Sequence, residues 1–224
     1  MGGFANNAPI VTEGLVFYVD AGNSKSYPGS GTTWTDLVDS NNSTLTNGPT
    51  FDSGNGGSIV FDGTDDGATS INVPEHQVFV GTIQAWINTS SPGSSYRGIM
   101  VKQEQWSLFS LDGELVTYDW GNGAVRLTGQ MIDDGNWHFV AMTFTNTLGT
   151  PSNNATIYLD GSSVLTTTVK NKSSTKGGIV FAAGNDIPSI QQLNGNIACG
   201  SLYNIVLTPQ EVLQNYNALK NRFV

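Results

Sequence analysis

The chain is poor in cysteine, histidine and charge, and each shortage excludes a class of protein. Of its 224 residues only 12% are charged, against a typical share of about 25%. The single cysteine, Cys199, cannot form an internal disulfide, and its place in Ile197-Ala198-Cys199 reads as a small buried hydrophobe. The two histidines, His76 and His138, lack partners at metal-ligand spacing, which argues against a zinc site. No Gly-x-Ser-x-Gly or comparable nucleophile motif accompanies His138, so it reads as structural. Nine basic residues against 18 acidic ones, for a net charge of -9, with no Lys/Arg run, exclude the electrostatic footprint of a nucleic-acid binder. No apolar run approaches the ~18 residues of a membrane-spanning helix. Met1 to Asn7 lack the basic start and apolar stretch of a signal peptide. The expectation is a protein made in a cytoplasm that leaves it, if at all, by a route such as assembly into a particle. The Asn-x-Ser/Thr triplets at Asn88 and Asn154 are expected by chance in so Asn- and Thr-rich a chain.

What the chain does have is 5 Trp, 10 Phe and 7 Tyr, enough to close one sizeable core. Gly, Asn, Ser and Thr make up roughly 40% of it, so its polar surface is built from uncharged hydrogen-bonding groups. Short apolar runs alternate with turn residues, which predicts a mostly β architecture. The candidate strands are residues 14–20, 58–62, 81–88, 98–102, 106–111, 115–118, 124–128, 137–145, 155–160, 163–169, 178–183 and 196–207. Asp112-Gly113, Asn122-Gly123 and Asp160-Gly161 are tight-turn pairs and predict antiparallel hairpins. The run from Trp137 to Phe144 is apolar on both faces apart from His138 and Thr143, as in a strand inside a covered sheet. Thr156 to Asp160 alternates like a half-exposed strand. Two packed sheets, one partly open to solvent, fit this mixture. Residues 23–55 read as a long polar loop anchored by Trp34. Thr208-Pro209-Gln210-Glu211 is a capping box opening a helix, with Val212, Tyr216, Leu219 and Phe223 as its apolar stripe. The domain plan is an N-terminal arm over 1–13, a β-sandwich over 14–207, and a C-terminal helix over 208–224 packed on the sandwich or on a neighbour.

Four ordered segments carry a resemblance: Ser58 to Asp66, Thr82 to Ile87, Gly135 to Phe144 and Ala155 to Gly161. Together they resemble the laminin G-like domains of the concanavalin A-like lectin/glucanase superfamily. The fold this implies is all-β, a two-sheet antiparallel jelly-roll sandwich with a short C-terminal helix. Leu193 to Asn204 resembles the family's closing strand, but Ala198 and Cys199 stand where many relatives carry acidic residues. The opening Gly14 to Tyr27 and the ending Gln214 to Phe223 look like laminin G-like structural proteins of tailed, especially marine, bacteriophages. That resemblance implies a non-enzymatic virion protein with other virion proteins, copies of itself and host-surface or environmental glycans as partners; a single domain without fibrous repeat or coiled coil suits capsid decoration better than a tail shaft. A tail adhesin and a calcium-dependent carbohydrate-binding module are the alternatives, and a glycoside hydrolase ranks third.

For glycan binding, exposed aromatics that stack on sugar rings are needed. Tyr96, Trp106, Tyr118 and Trp120 lie in or near Ser-, Asn- and Gly-rich hairpins and are the candidates, with Trp120 the one expected exposed at a turn; a core place is the alternative for Trp106, and Trp86 and Trp137 read as core. Asp62, Asp65 and Asp66 form the densest acidic cluster, whose hard oxygens suit Ca²⁺, although a turn explains the same residues. Asp133-Asp134 and Asn185-Asp186 are weaker oxygen-ligand candidates that read as turns. No motif requires a cofactor. The Glu-x-Asp-x-x-Glu strand of β-glucanases is absent; Asp112-Gly113-Glu114 falls on a predicted turn, and Glu13 and Glu104 stand alone.

Overall fold

The turn chemistry and short apolar runs become sixteen strands and one α-helix in a computed structural model that describes residues 8–91, 93, 95–146, 152–172, 176–184 and 191–223. In chain order the strands are β1 (Leu15–Asp20), β2 (Thr33–Trp34), β3 (Ser43–Thr46), β4 (Thr50–Asp52), β5 (Ser58–Asp62), β6 (Gly67–Ser70), β7 (Val80–Asn88) and β8 (Arg97–Lys102). They continue with β9 (Trp106–Leu111), β10 (Glu114–Asp119), β11 (Ala124–Met131), β12 (Trp137–Thr145), β13 (Ala155–Leu159), β14 (Ser162–Thr167), β15 (Val180–Phe181) and β16 (Asn194–Tyr203), followed by α1 (Pro209–Leu219). Sheet I runs β14-β13-β12-β7-β16-β5-β4, with β1 also paired to β16; sheet II runs β11-β10-β9-β8-β15-β6-β3-β2. Every pairing is antiparallel, as the all-β jelly-roll reading requires. Two of the predicted hairpin turns have both central residues at positive φ: Asp112 (52°) and Gly113 (83°), and Asp160 (51°) and Gly161 (79°). That twist matches the flanking strands.

The reading of residues 23–55 as loop is corrected by β2, β3 and β4, and β6 is a further strand that the sequence did not reveal. These strands have two to four residues each, too few for alternation to show in a Ser/Thr/Asn-rich stretch. Trp34 is fully buried on β2, its ring 5.3 Å from that of Phe181. The predicted strand over 178–183 shortens to β15 because Ala182 takes a φ of 59°.

The sandwich has three apolar layers. Phe17, Ile59, Phe61, Ile83, Trp106 and Leu108 belong to the core between the sheets. A second cluster lies under α1 on the outer face of sheet I, where Trp86 stacks on Phe223 at 4.4 Å and on Tyr216 at 5.5 Å. Trp86 is therefore buried outside the inter-sheet core, and Trp137 beside Phe223 is only partly buried. The same cover buries Tyr158, so β13 hides both faces at its centre rather than exposing one. Residues before β1 lock the helix in place: the Val11 amide donates to Asn215 Oδ1 (2.8 Å) and the Tyr203 hydroxyl to Val11 O (2.9 Å). Arg222 closes the assembly with a forked bond to Asp20 at 2.9 and 3.0 Å. A Cβ on Gly22 would sit 2.2 Å from the backbone oxygen of Gly56, so that position needs glycine. The third cluster, Val101, Phe109 and Val116, lies on sheet II beneath Tyr96, Tyr118 and Trp120.

Candidate functional site

Period-2 alternation along β10 sends Val116 and Tyr118 to the outer face of sheet II, with Trp120 continuing the row just past the strand. Phe109 on β9 lies opposite Val116, and Tyr96 precedes β8. Their rings meet edge to face. Tyr96 is 5.4 Å from Phe109 and 5.7 Å from Tyr118, and Tyr118 is 4.9 Å from Trp120. Such perpendicular contacts favour the ring quadrupoles and hold each ring rigidly. Tyr96, Phe109, Tyr118 and Trp120 join Gln103, Gly184 and Gln191 around a cleft of about 240 Å³. Among the described residues this lining holds no charged side chain. Burial and the neighbouring Tyr118 push the Tyr96 hydroxyl above its ordinary pKa, so it stays a neutral hydrogen-bonding group.

The turn that presents Trp120 is built around Asp119, whose side chain is wholly buried. Burial opposes its charge. Asn122 opposes that effect by donating its backbone and side-chain N–H (3.1 and 2.8 Å), and the Lys170 amide (3.1 Å) and Arg126 guanidinium add to it. The balance holds the Asp119 carboxyl below the usual carboxylate range. Gly121 lets the chain from Val169 to Lys172 press against this turn: its amide donates to Lys170 O (2.8 Å), and a Cβ there would lie 2.5 Å from Lys170 Cβ.

Three of the four aromatic candidates are thus brought together. Trp106 is not: it is 1% exposed and points into the core between the sheets, because it opens β9 on the face opposite Phe109. It cannot stack on a ligand in this fold, which corrects its candidacy. Phe109, Gln103 and Gln191 were missed. Phe109 could have been found from its β9 register, since it lies opposite Val116, which shares a face with Tyr118; Gln191 carries no local signal.

The acidic candidates Asp62, Asp65 and Asp66 offer oxygens within 4.8 Å of one another at the β5–β6 turn. Two of the three carboxylates already accept backbone hydrogen bonds within the turn. Asp66 Oδ2 accepts from the Asp62 amide (3.0 Å) and Asp62 Oδ1 from the Thr64 amide (2.8 Å). The Thr64 amide holds the Asp62 carboxyl below its ordinary value, whereas burial and the charges of Asp62 and Asp65 raise that of Asp66. The hard oxygens suit a cation such as Ca²⁺ chemically, and the turn also accounts for them without one. The Asn185-Asp186 pair lies outside the described residues. Asp134 accepts from Asn136 and from His138 Nε2 (3.1 Å), and its carboxyl is held down at about 2. His138 Nδ1 meets Asp160 at 3.0 Å, a bond that raises the imidazole pKa. Glu114 accepts from the Gly129 amide, and Glu104 pairs with Lys172 and Lys176.

Comparison with known proteins agrees with this architecture. The laminin G-like family of the concanavalin A-like lectin/glucanases superfamily matches residues 61–213. No curated protein sequence matches the chain. Among solved structures, Trypanosoma rangeli sialidase in complex with sialic acid superposes with a TM-score of 0.73 at 12% identity, over 97% of this chain and 35% of the sialidase. The chain therefore spans about a third of that enzyme's length. The binding domain of paraclostridial mosquitocidal protein 1 gives 0.67 at 16% identity, over 92% of this chain and 52% of that one. Domain 4 of a GH43 extracellular arabinanase from Geobacillus stearothermophilus, in complex with arabinotriose, gives 0.65 at 15% identity, over 90% of this chain and 98% of that one. At these identities the likeness is one of fold.

Proposed function

The chain belongs to the concanavalin A-like lectin/glucanases superfamily, and from that premise we propose that it is a non-enzymatic carbohydrate-binding domain whose site is the cleft of Tyr96, Phe109, Tyr118 and Trp120. One observation carries this reading. The outer face of sheet I is sealed by α1, whereas the outer face of sheet II presents a rigid aromatic cleft flanked by two glutamine amides. Aromatic faces and directional amides are what a sugar ring with its hydroxyls requires. The arabinanase domain, similar over nearly its whole length, is itself bound to arabinotriose, which supports a sugar as the ligand class. The absence of a carboxylate among the described lining residues supports a binding role over hydrolysis, since glycosidases flank the scissile bond with two.

The test is an oligosaccharide array followed by titration of the best ligand. Trp120→Ala should weaken binding about tenfold or more, as expected for truncating a central aromatic contact. EDTA should leave it unchanged, because Asp62, Asp65 and Asp66 are not among the cleft residues. Binding that is indifferent to Trp120→Ala would rule the cleft out, and no binding to any glycan would rule out the function.

A virion setting, with the domain displayed on a tailed-phage capsid, is the second reading. It draws on the two segments that resemble phage structural proteins, which meet in one unit: β1 pairs with β16 and α1 packs beside them. Mass spectrometry of washed particles should find the protein at stoichiometric amounts, and its absence would end this reading.

A further inference from the structure

Charge is distributed unevenly around the cleft. The chain has nine basic residues, and six of them, Arg97, Lys102, Arg126, Lys170, Lys172 and Lys176, lie on β8, on β11 or in the segment that crosses sheet II after β14. Arg126 is matched by Asp119, Lys102 is buried, and Arg97 donates to Gln192 O (3.0 Å). Three lysines remain at the end of the cleft marked by Trp120 and Gln103. Lys170 is exposed, abuts Gly121 beside Trp120, and is in no ion pair among the described residues. Lys172 and Lys176, with side chains 52% and 55% exposed, both reach the single carboxylate of Glu104 (3.4 and 3.2 Å), the residue after Gln103. Two cations sharing one anion leave an excess positive charge. Apart from Glu104 and Asp119, both already paired, the acids on the same hairpins, Asp112 and Glu114, sit at the opposite, β9–β10 end of the strands. A protein of net charge -9 thus keeps a positive rim at one end of an aromatic cleft whose described lining residues are uncharged.

We propose that the ligand of this cleft is an acidic glycan, with a sugar ring against Trp120 and Tyr118 and its carboxylate or sulfate directed to Lys170, Lys172 and Lys176. This rests on the carbohydrate-binding reading above. Fixed positive charge within a Debye length of a bound anion attracts it in a salt-dependent way, and an acidic protein lacking that rim would repel such a ligand.

The experiment titrates trigalacturonate, its fully methyl-esterified form and a sulfated galactan trisaccharide into the intact protein at 50 and 500 mM NaCl. The expected result is tenfold or tighter binding of at least one acidic sugar over the neutral ester at low salt. That advantage should shrink at high salt and in the Lys170→Gln/Lys172→Gln/Lys176→Gln variant. Lys170→Gln alone, which breaks no ion pair, should remove part of it, so that any effect of unpairing Glu104 can be told apart. The carboxylate and sulfate arms identify the anionic group. Equal binding of acid and ester that still depends on Trp120, or an acidic preference untouched by the lysine variants, overturns this proposal and leaves the carbohydrate-binding reading standing. Binding of none of the three sugars, or binding indifferent to Trp120→Ala, overturns this proposal, and the carbohydrate-binding reading falls with it only when no glycan of the wider array binds.

Discussion

At the scale of the residue, two tryptophans in similar local sequence do opposite work. Trp106 opens β9 facing the inter-sheet core at 1% exposure, while Trp120 lies two residues beyond Tyr118 on the outer face. Trp106→Ala should therefore cost ~3–5 kcal/mol of stability, the range for emptying a large buried aromatic site. Trp120→Ala, at a half-buried ring, should cost less than Trp106→Ala while weakening glycan binding about tenfold or more. Denaturant unfolding of the two variants checks this, and equal losses would mean that Trp120 is a packing residue. The sequence offered all four aromatic candidates for their proximity to hairpins, with a core place as the alternative for Trp106 and a turn position for Trp120. Which way each side chain points depends on strand register, and a shift of one residue reverses it. Lys170, Lys172 and Lys176 were legible as residues but not as a rim, because their place beside Trp120 comes from Gly121 packing on Lys170, a contact between chain segments about fifty residues apart.

At the scale of the element, α1 is the part that the sequence specified most completely. The Thr208 hydroxyl accepts from the Glu211 amide (3.3 Å), and the Glu211 carboxylate accepts from the Thr208 amide (2.7 Å), the reciprocal bonds of a capping box. Its apolar stripe then meets Trp86 and Phe139 on sheet I. Thr208→Ala should lower stability by about 1 kcal/mol, read as a reduced midpoint in thermal unfolding; no change would mean that packing of the stripe alone holds the helix. Hairpins with Asp-Gly turns were equally legible because the turn residues themselves demand positive φ. The short strands β2, β3, β4 and β6 were not. Their existence depends on partners already in place, since β3 aligns on β6 and β4 on β5.

At the scale of the whole molecule, the fold hides a histidine that reports on acid. His76 is fully buried, its ring 5.2 Å from that of Phe17, and burial together with the nearby Lys102 lowers its pKa to about 4. The unfolded chain takes up a proton at His76 near pH 6.5 and the folded protein only near 4. Its contribution is therefore complete above about pH 6.5 and is lost as pH falls toward 4, a change of about 3 kcal/mol. Stability measured by denaturant titration from pH 7.5 to 4 should show that decline, and His76→Leu should flatten it. A slope unchanged by the substitution would assign the acid sensitivity to the carboxylates.

What the sequence determined by itself was local: the strand-and-turn grammar, the Asp-Gly hairpins, the capped helix, and, from four ordered segments, the two-sheet sandwich. These depend on residues close in the chain, whose backbone preferences act wherever they are placed. Only the tertiary structure decided that one outer face is sealed by α1 and the other left open, that Tyr96, Tyr118 and Trp120 converge with Phe109 while Trp106 turns inward, and that three lysines gather at one end of their cleft. Those outcomes are set by cross-strand register and by contacts between distant segments. A chain poor in charge gathers three of its nine basic residues at one end of that cleft, and the arrangement becomes visible only when the strands are side by side.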